Sequence, residues 1–123
     1  MNESKVAMTR YVFLDIVGFT LNRTIEAQTQ IIATLNQVVR EAAAGVCAGM
    51  EASSNQQLIY LPSGDGLCIC LVNQLEPFDN HIRLSLSILE RLHAINKAEK
   101  REAYRFEVRV GINENQDNLV IDI

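Results

Sequence analysis

Two apolar runs, Leu58-Ile-Tyr-Leu61 and Leu67-Cys-Ile-Cys-Leu71, flank the segment Ser63-Gly64-Asp65-Gly66. No other feature restricts the fold so tightly. Glycine supplies positive φ and aspartate tolerates it, so the segment predicts a tight hairpin with strands over roughly 57–61 and 67–72 and Asp65 at its tip. Pro62 cannot donate to a ladder, which sends it to a strand end or an exposed edge.

The surrounding chain alternates between the periods of strand and helix. Tyr11-Val-Phe-Leu14 is a strand expected to be buried on both faces, and it delivers Asp15 just before a glycine and a polar helix start. Ile25, Ile32, Leu35, Val39 and Ala42 then recur at helical spacing for five or six turns, with Gly45 as the stop. Residues 45–57 form a connection. Glu76-Pro77 opens a second helix whose apolar face is Ile82, Leu86, Leu89, Leu92 and Ile95, fraying near Asn96, with Arg83, Glu90 and Arg91 on the wet side. From Tyr104 to Ile112 the residues alternate, Phe106, Val108 and Val110 facing one way and Arg105, Glu107 and Arg109 the other. Asn113 to Asn118 is predicted to be a polar turn, followed by a new extended run, Leu119 to Ile123. The order strand, helix, strand, strand, helix, strand predicts an α+β fold, a ferredoxin-like β-α-β-β-α-β sandwich over residues 1–123.

Composition narrows the class. A chain of 123 residues with 48% hydrophobic and 21% charged residues is expected to form one domain with a genuine core. No apolar stretch approaches the ~18 residues needed to span a bilayer, and the first ten residues lack the apolar core of a signal peptide, so the expected location is cytoplasmic. The three cysteines, Cys47, Cys68 and Cys70, fit that setting as small hydrophobes, since no further thiol or suitably placed histidine completes a metal site. A net charge of -4 opposes a nucleic-acid groove, and Lys97, Lys100, Arg101 and Arg105, interleaved with glutamates, describe a solvated helix end. His81 and His93 lie about 120° apart on the second helix, which suits packing or surface roles over a shared ligand.

Asp15 and Asp65 are the candidate functional side chains. If the first strand and the hairpin are neighbours in one sheet, both carboxylates converge at its edge, the arrangement a pair of magnesium ions requires. Each also has a plain reading: Asp15 as a hydrogen-bond acceptor for the loop and helix start that follow it, Asp65 as a turn former.

Phe13-Leu-Asp15-Ile-Val-Gly18-Phe19-Thr20, followed by Ser63-Gly64-Asp65-Gly66 on a hairpin and Val108-Arg-Val-Gly-Ile112 on a later strand, resembles the catalytic domain of the class III adenylate/guanylate cyclases. The resemblance runs from about residue 8 to 123 and covers the N-terminal two-thirds of such a domain. It implies a homodimer with its active site between subunits, taking ATP or GTP. Two Mg2+ or Mn2+ ions would be held by Asp15, Asp65 and the backbone carbonyl of Ile16. Gly18, Phe19, Thr20 and Gly64 would line the nucleotide, with backbone groups from Ile16 to Thr20 facing its phosphates at the start of the first helix. Leu61 stands where the family has a purine-reading lysine and cannot donate a hydrogen bond to a base. Asp122 matches the other base-contacting position after a shortened turn. The family's ribose-orienting asparagine and transition-state arginine fall after Ile123, so weak turnover is expected of this chain alone.

Three functions fit this reading. The first is a cyclase domain. The second is a catalytically degenerate relative acting as a regulatory dimerisation module, which Leu61 favours. The third is a ferredoxin-like binding module of unrelated chemistry, which leaves the pairing of the two aspartates unexplained.

Overall fold

The computed structural model describes residues 2–47, 57–72 and 79–122. In chain order it contains β1 (Asn2–Ile16), α1 (Ile25–Val46), β2 (Gln57–Ser63), β3 (Gly66–Val72), α2 (Asn80–Ala98), a 3-10 turn at Glu102–Tyr104, and β4 (Val108–Asp122). The strands form one antiparallel sheet in the order β2-β3-β1-β4. This is the ferredoxin-like arrangement expected from the order of elements. Pro62 lies on β2, an edge strand, where its missing N–H costs no central ladder bond. No described helix is long and apolar enough to cross a membrane.

Both helices pack on one face of the sheet. Ile31, Leu35, Val38, Val39 and Ala42 of α1 and Leu84, Ile88 and Leu92 of α2 bury against Val12, Leu14, Ile16, Leu67, Ile69 and Leu71. β1 is therefore buried on one face only, contrary to the expectation from its continuous apolar run: Val12 is fully buried, whereas Phe13 on the opposite face keeps 45% of its exposure. Period-two alternation sends Tyr11, Phe13 and Asp15 to the face that carries no helix.

α1 begins later than the sequence suggests. Thr24 caps it, its hydroxyl accepting from the Ala27 N–H at 3.1 Å, and the helix runs through Gly45 to Val46. Ile25, expected on the buried face, is 82% exposed.

In α2 the buried stripe is His81, Leu84, Ser85, Ile88 and Leu92, so Ile82, Leu86, Leu89 and Ile95 face outward. The start expected at Glu76-Pro77 lies outside the described residues. Asn96 does not fray: its side chain donates to the Phe106 carbonyl at 2.7 Å and accepts from the Phe106 N–H at 3.2 Å. That bond pair seats buried Phe106 before β4, so the strand starts at Val108 and not at Tyr104.

The polar turn expected over 113–118 is absent. β4 continues to Asp122, paired residue for residue with β1 from Ile16↔Val108 to Asn2↔Asp122. The N-terminal segment supplies the ladder that overrides the turn preference of these asparagines.

Candidate functional site

The site is built where β1 ends beside the hairpin. Asp15 pairs with Gly66 of β3, and the Ile16 N–H donates to the Asp65 carbonyl at 2.8 Å. The ladder thus places Asp15, near the end of β1, beside the β2-β3 turn that carries Asp65, at one end of the sheet. Asp15 is half-buried and Asp65 exposed, so both carboxylates stand at an open surface and neither is stranded in the core. An extended residue directs its N–H and C=O to the same side, so the Ile16 carbonyl also faces the hairpin.

Gly66 makes this approach possible, and not through positive φ, which among the described residues belongs to Gly18 and Asn22. A β-carbon at Gly66 would lie 3.0 Å from the Leu14 carbonyl carbon and 3.2 Å from the Asp15 Cα, and would overlap the Leu14 carbonyl oxygen. The second glycine of the turn is therefore a contact with β1. On the other side of β1, Arg109 pairs with Asp15, its Nε 4.0 Å from Oδ2. The Arg109 side chain is largely exposed and that of Asp15 about half exposed, and such a pair holds a carboxylate only weakly.

Between Ile16 and α1 the chain makes a turn in place of the expected helix start. The Val17 N–H donates to the Glu107 carbonyl at 2.9 Å, Gly18 adopts φ 57°, and the Leu21 N–H returns to the Gly18 carbonyl at 3.0 Å. α1 begins only at Ile25, so Gly18, Phe19 and Thr20 are not part of its first turn, contrary to the expectation from sequence. Arg23 holds this turn. Its Nη1 donates to the carbonyls of Gly18 (2.6 Å) and Phe19 (3.1 Å), its Nε to Ala103 (3.1 Å), and its Nη2 to Arg105 (2.8 Å). Sequence reasoning missed Arg23, because its partners are backbone carbonyls that carry no side-chain signature. Gly66 was visible in the Gly-Asp-Gly pattern, but for the wrong reason.

The open face beside the carboxylates is apolar. Leu61, Cys68, Phe13 and Gly111 form one row across the four strands, and Ile59, Cys70, Tyr11 and Asn113 the next. Leu61 is 53% exposed, and the Tyr11 and Phe13 rings stack with centroids 5.8 Å apart. Cys68 and Cys70 sit on this face with their sulfurs 4.0 Å apart, and burial pushes the Cys68 thiol up. Thr20 and Gly64 are exposed and Phe19 is half-buried against the core. Asp122 is not brought to the site: its backbone pairs with Asn2, thirteen residues along β1 from Asp15, about 43 Å at ~3.3 Å per residue. The Asp122 side chain lies outside the described residues.

Asp15, Asp65 and the Ile16 carbonyl are hard oxygen donors, and the described residues contain no cluster of three or more histidine, cysteine, aspartate or glutamate side chains able to hold a metal. A sparse carboxylate set suits Mg2+ or Mn2+, which keep several waters and take further oxygens from bound phosphates. Zinc would require a fuller set of nitrogen or sulfur ligands.

No protein-family model matches the sequence, and no curated protein matches it. Solved structures do match the fold. A bacterial light-regulated adenylyl cyclase superposes with a TM-score of 0.69 at 14% identity over 91% of this chain and 55% of that one. The guanylate cyclase domain from Catenaria anguillulae, solved in complex with GTP, gives 0.61 at 15% identity over 98% of this chain and 68% of its own. A non-canonical dimeric guanylyl cyclase domain from Blastocladiella emersonii gives 0.57 at 18% identity, over 96% and 63%. The chain thus spans about half the length of the first of these, and at such identities the likeness is one of fold.

Proposed function

We propose that this chain, which has the fold of adenylyl and guanylyl cyclase catalytic domains, is itself a nucleotidyl cyclase domain, converting a purine nucleoside triphosphate to a cyclic nucleotide and pyrophosphate in intracellular signalling. The observation that carries the reading is the register of β1 and β3, which sets Asp15 opposite Gly66 and the Ile16 N–H on the Asp65 carbonyl. Asp15, Asp65 and the Ile16 carbonyl would hold Mg2+ or Mn2+, two ions in the full reading. When bound, the ions supply charge that lowers the pKa of the ribose 3′-hydroxyl and offsets the triphosphate. The 3′-oxygen forms its bond to the α-phosphorus as the bond to pyrophosphate breaks. Gly18, Phe19 and Thr20 follow the first aspartate closely enough to receive phosphate, and Phe13 and Leu61 supply an apolar surface beside it. A second copy would cover the rest of that open face, giving a cytoplasmic homodimer.

A second reading rests on Leu61. Exposed on the open face where the resemblance expects a lysine, it favours a degenerate domain that dimerises and regulates a neighbour. Calorimetric titration of manganese with a non-hydrolysable ATP or GTP analogue separates the two. The cyclase reading expects binding by the wild type that Asp15→Ala weakens on the order of 100-fold or more, since even residues that only support metal ligands cost about 10- to 100-fold. A folded wild-type protein that binds neither analogue would overturn it in favour of the regulatory module.

A further inference from the structure

One side chain fixes the turn between β1 and α1. Arg23 spends four N–H bonds on backbone carbonyls, two within the turn at Gly18 and Phe19 and two at Ala103 and Arg105 in the segment before β4. A guanidinium presents its donors in a rigid planar fork, so this arrangement leaves the turn little freedom to rotate. It also has a consequence for the peptide groups themselves. A trans peptide unit is planar, and its N–H points opposite to its C=O. The Gly18 carbonyl shares a peptide with the Phe19 N–H, and the Phe19 carbonyl shares one with the Thr20 N–H. Drawing both carbonyls to the guanidinium therefore turns both N–H groups to the other side. Neither N–H has a hydrogen-bond partner among the described residues. Adjacent, outward N–H groups form a concavity of positive partial charge suited to an anion.

We propose that Arg23 is a positioning residue for phosphate recognition: it does not touch the ligand but aims the Phe19 and Thr20 amides at the triphosphate. This rests on the nucleotide reading above and names the residue that prepares its phosphate side. Arg23 acts at the turn, whereas Asp15 and Asp65 act through metal, so the two contributions separate experimentally.

Inorganic triphosphate is the probe, titrated with and without manganese into wild type, Arg23→Ala, Arg23→Lys and Asp15→Ala. The expected result is that Arg23→Ala binds manganese alone as the wild type does and binds manganese-triphosphate about tenfold more weakly, roughly the loss of one charge-assisted bond. Arg23→Lys, which reaches fewer carbonyls, falls between them. In the wild type, the Phe19 and Thr20 amide resonances shift on adding magnesium-triphosphate. Equal triphosphate affinity in Arg23→Ala and wild type overturns this inference and leaves the nucleotide reading standing. A folded wild type that ignores manganese-triphosphate overturns both. If Arg23→Ala does not fold, the wild-type amides decide: unmoved Phe19 and Thr20 resonances overturn the proposal, and moved ones with weakened Arg23→Lys support it.

Discussion

The two faces of the sheet come from the same strands, residue by alternate residue, yet they have different surroundings. On the inner face Val12, Ile69 and Leu71 are wholly buried under α1 and α2, whereas on the open face Phe13 keeps 45% and Leu61 53% of their exposure. Because the side-chain period is two, the packed core and the exposed apolar rows occupy interleaved positions, and one can change without the other. Ile69→Ala should cost about 2–5 kcal/mol, the range for truncating a fully buried side chain. Phe13→Ala, half solvated already, should cost about 1 kcal/mol while weakening nucleotide binding or self-association. Urea denaturation of both variants checks this. Equal losses would mean that the open face is as enclosed as the inner one, and the contrast would fail.

A smaller effect tests where the two faces meet, at the backbone contact between the hairpin and β1. In Gly66→Ala the new methyl meets the Leu14 carbonyl, and neither strand can yield without disturbing the ladder. Crowding of this kind costs about 1–3 kcal/mol. Unlike Ile69→Ala, it should also move Asp65 relative to Asp15 and weaken manganese binding in molecules that remain folded. A Gly66→Ala protein with wild-type stability and manganese affinity would show that the close approach is not what sets the carboxylates.

Much of this arrangement was legible in the sequence. The hairpin turn and the switches of period gave the order of the helices and strands as far as Ile112, and with it the placing of Asp15 beside the turn that carries Asp65. What was not legible depended on distant partners. α2 carries two stripes of similar spacing, Ile82-Leu86-Leu89 and Leu84-Ile88-Leu92, and the sheet selects the second although it brings His81 and Ser85 into the interior. The asparagines of 113–118 favour turns locally, but pairing with the N-terminal half of β1 holds them extended. The turn after Ile16 lacks helical hydrogen bonds because Arg23 and Glu107 take its polar groups, bonds made across the fold and invisible to periodicity.

The smallest expected effect concerns the polar end of the inner face. Arg10 continues the row of Val12 and Leu14, is 8% exposed, and pairs through Nε with Glu114 Oε2 at 3.0 Å. His81 packs beside it from α2, 7% exposed, with its Nδ1 lacking a partner among the described residues. Burial, and after it the Arg10 guanidinium, hold the His81 imidazole below its ordinary pKa, with the Glu114 and Asp79 carboxylates opposing the shift. The unfolded chain then takes up a proton near pH ~6.5 while the folded chain does not. Stability is therefore flat with respect to this group above about pH 6.5 and falls as the pH drops from there to the lowered folded value, because the unfolded state binds more protons in that window. His81→Gln should flatten the dependence between neutral pH and about pH 5.5, measured as the shift in urea midpoint relative to wild type. Carboxylate titrations affect both proteins alike, so the difference isolates the imidazole. A variant that keeps the full wild-type slope would show that His81 exchanges protons freely, and that this end of the inner face is as wet as the open one.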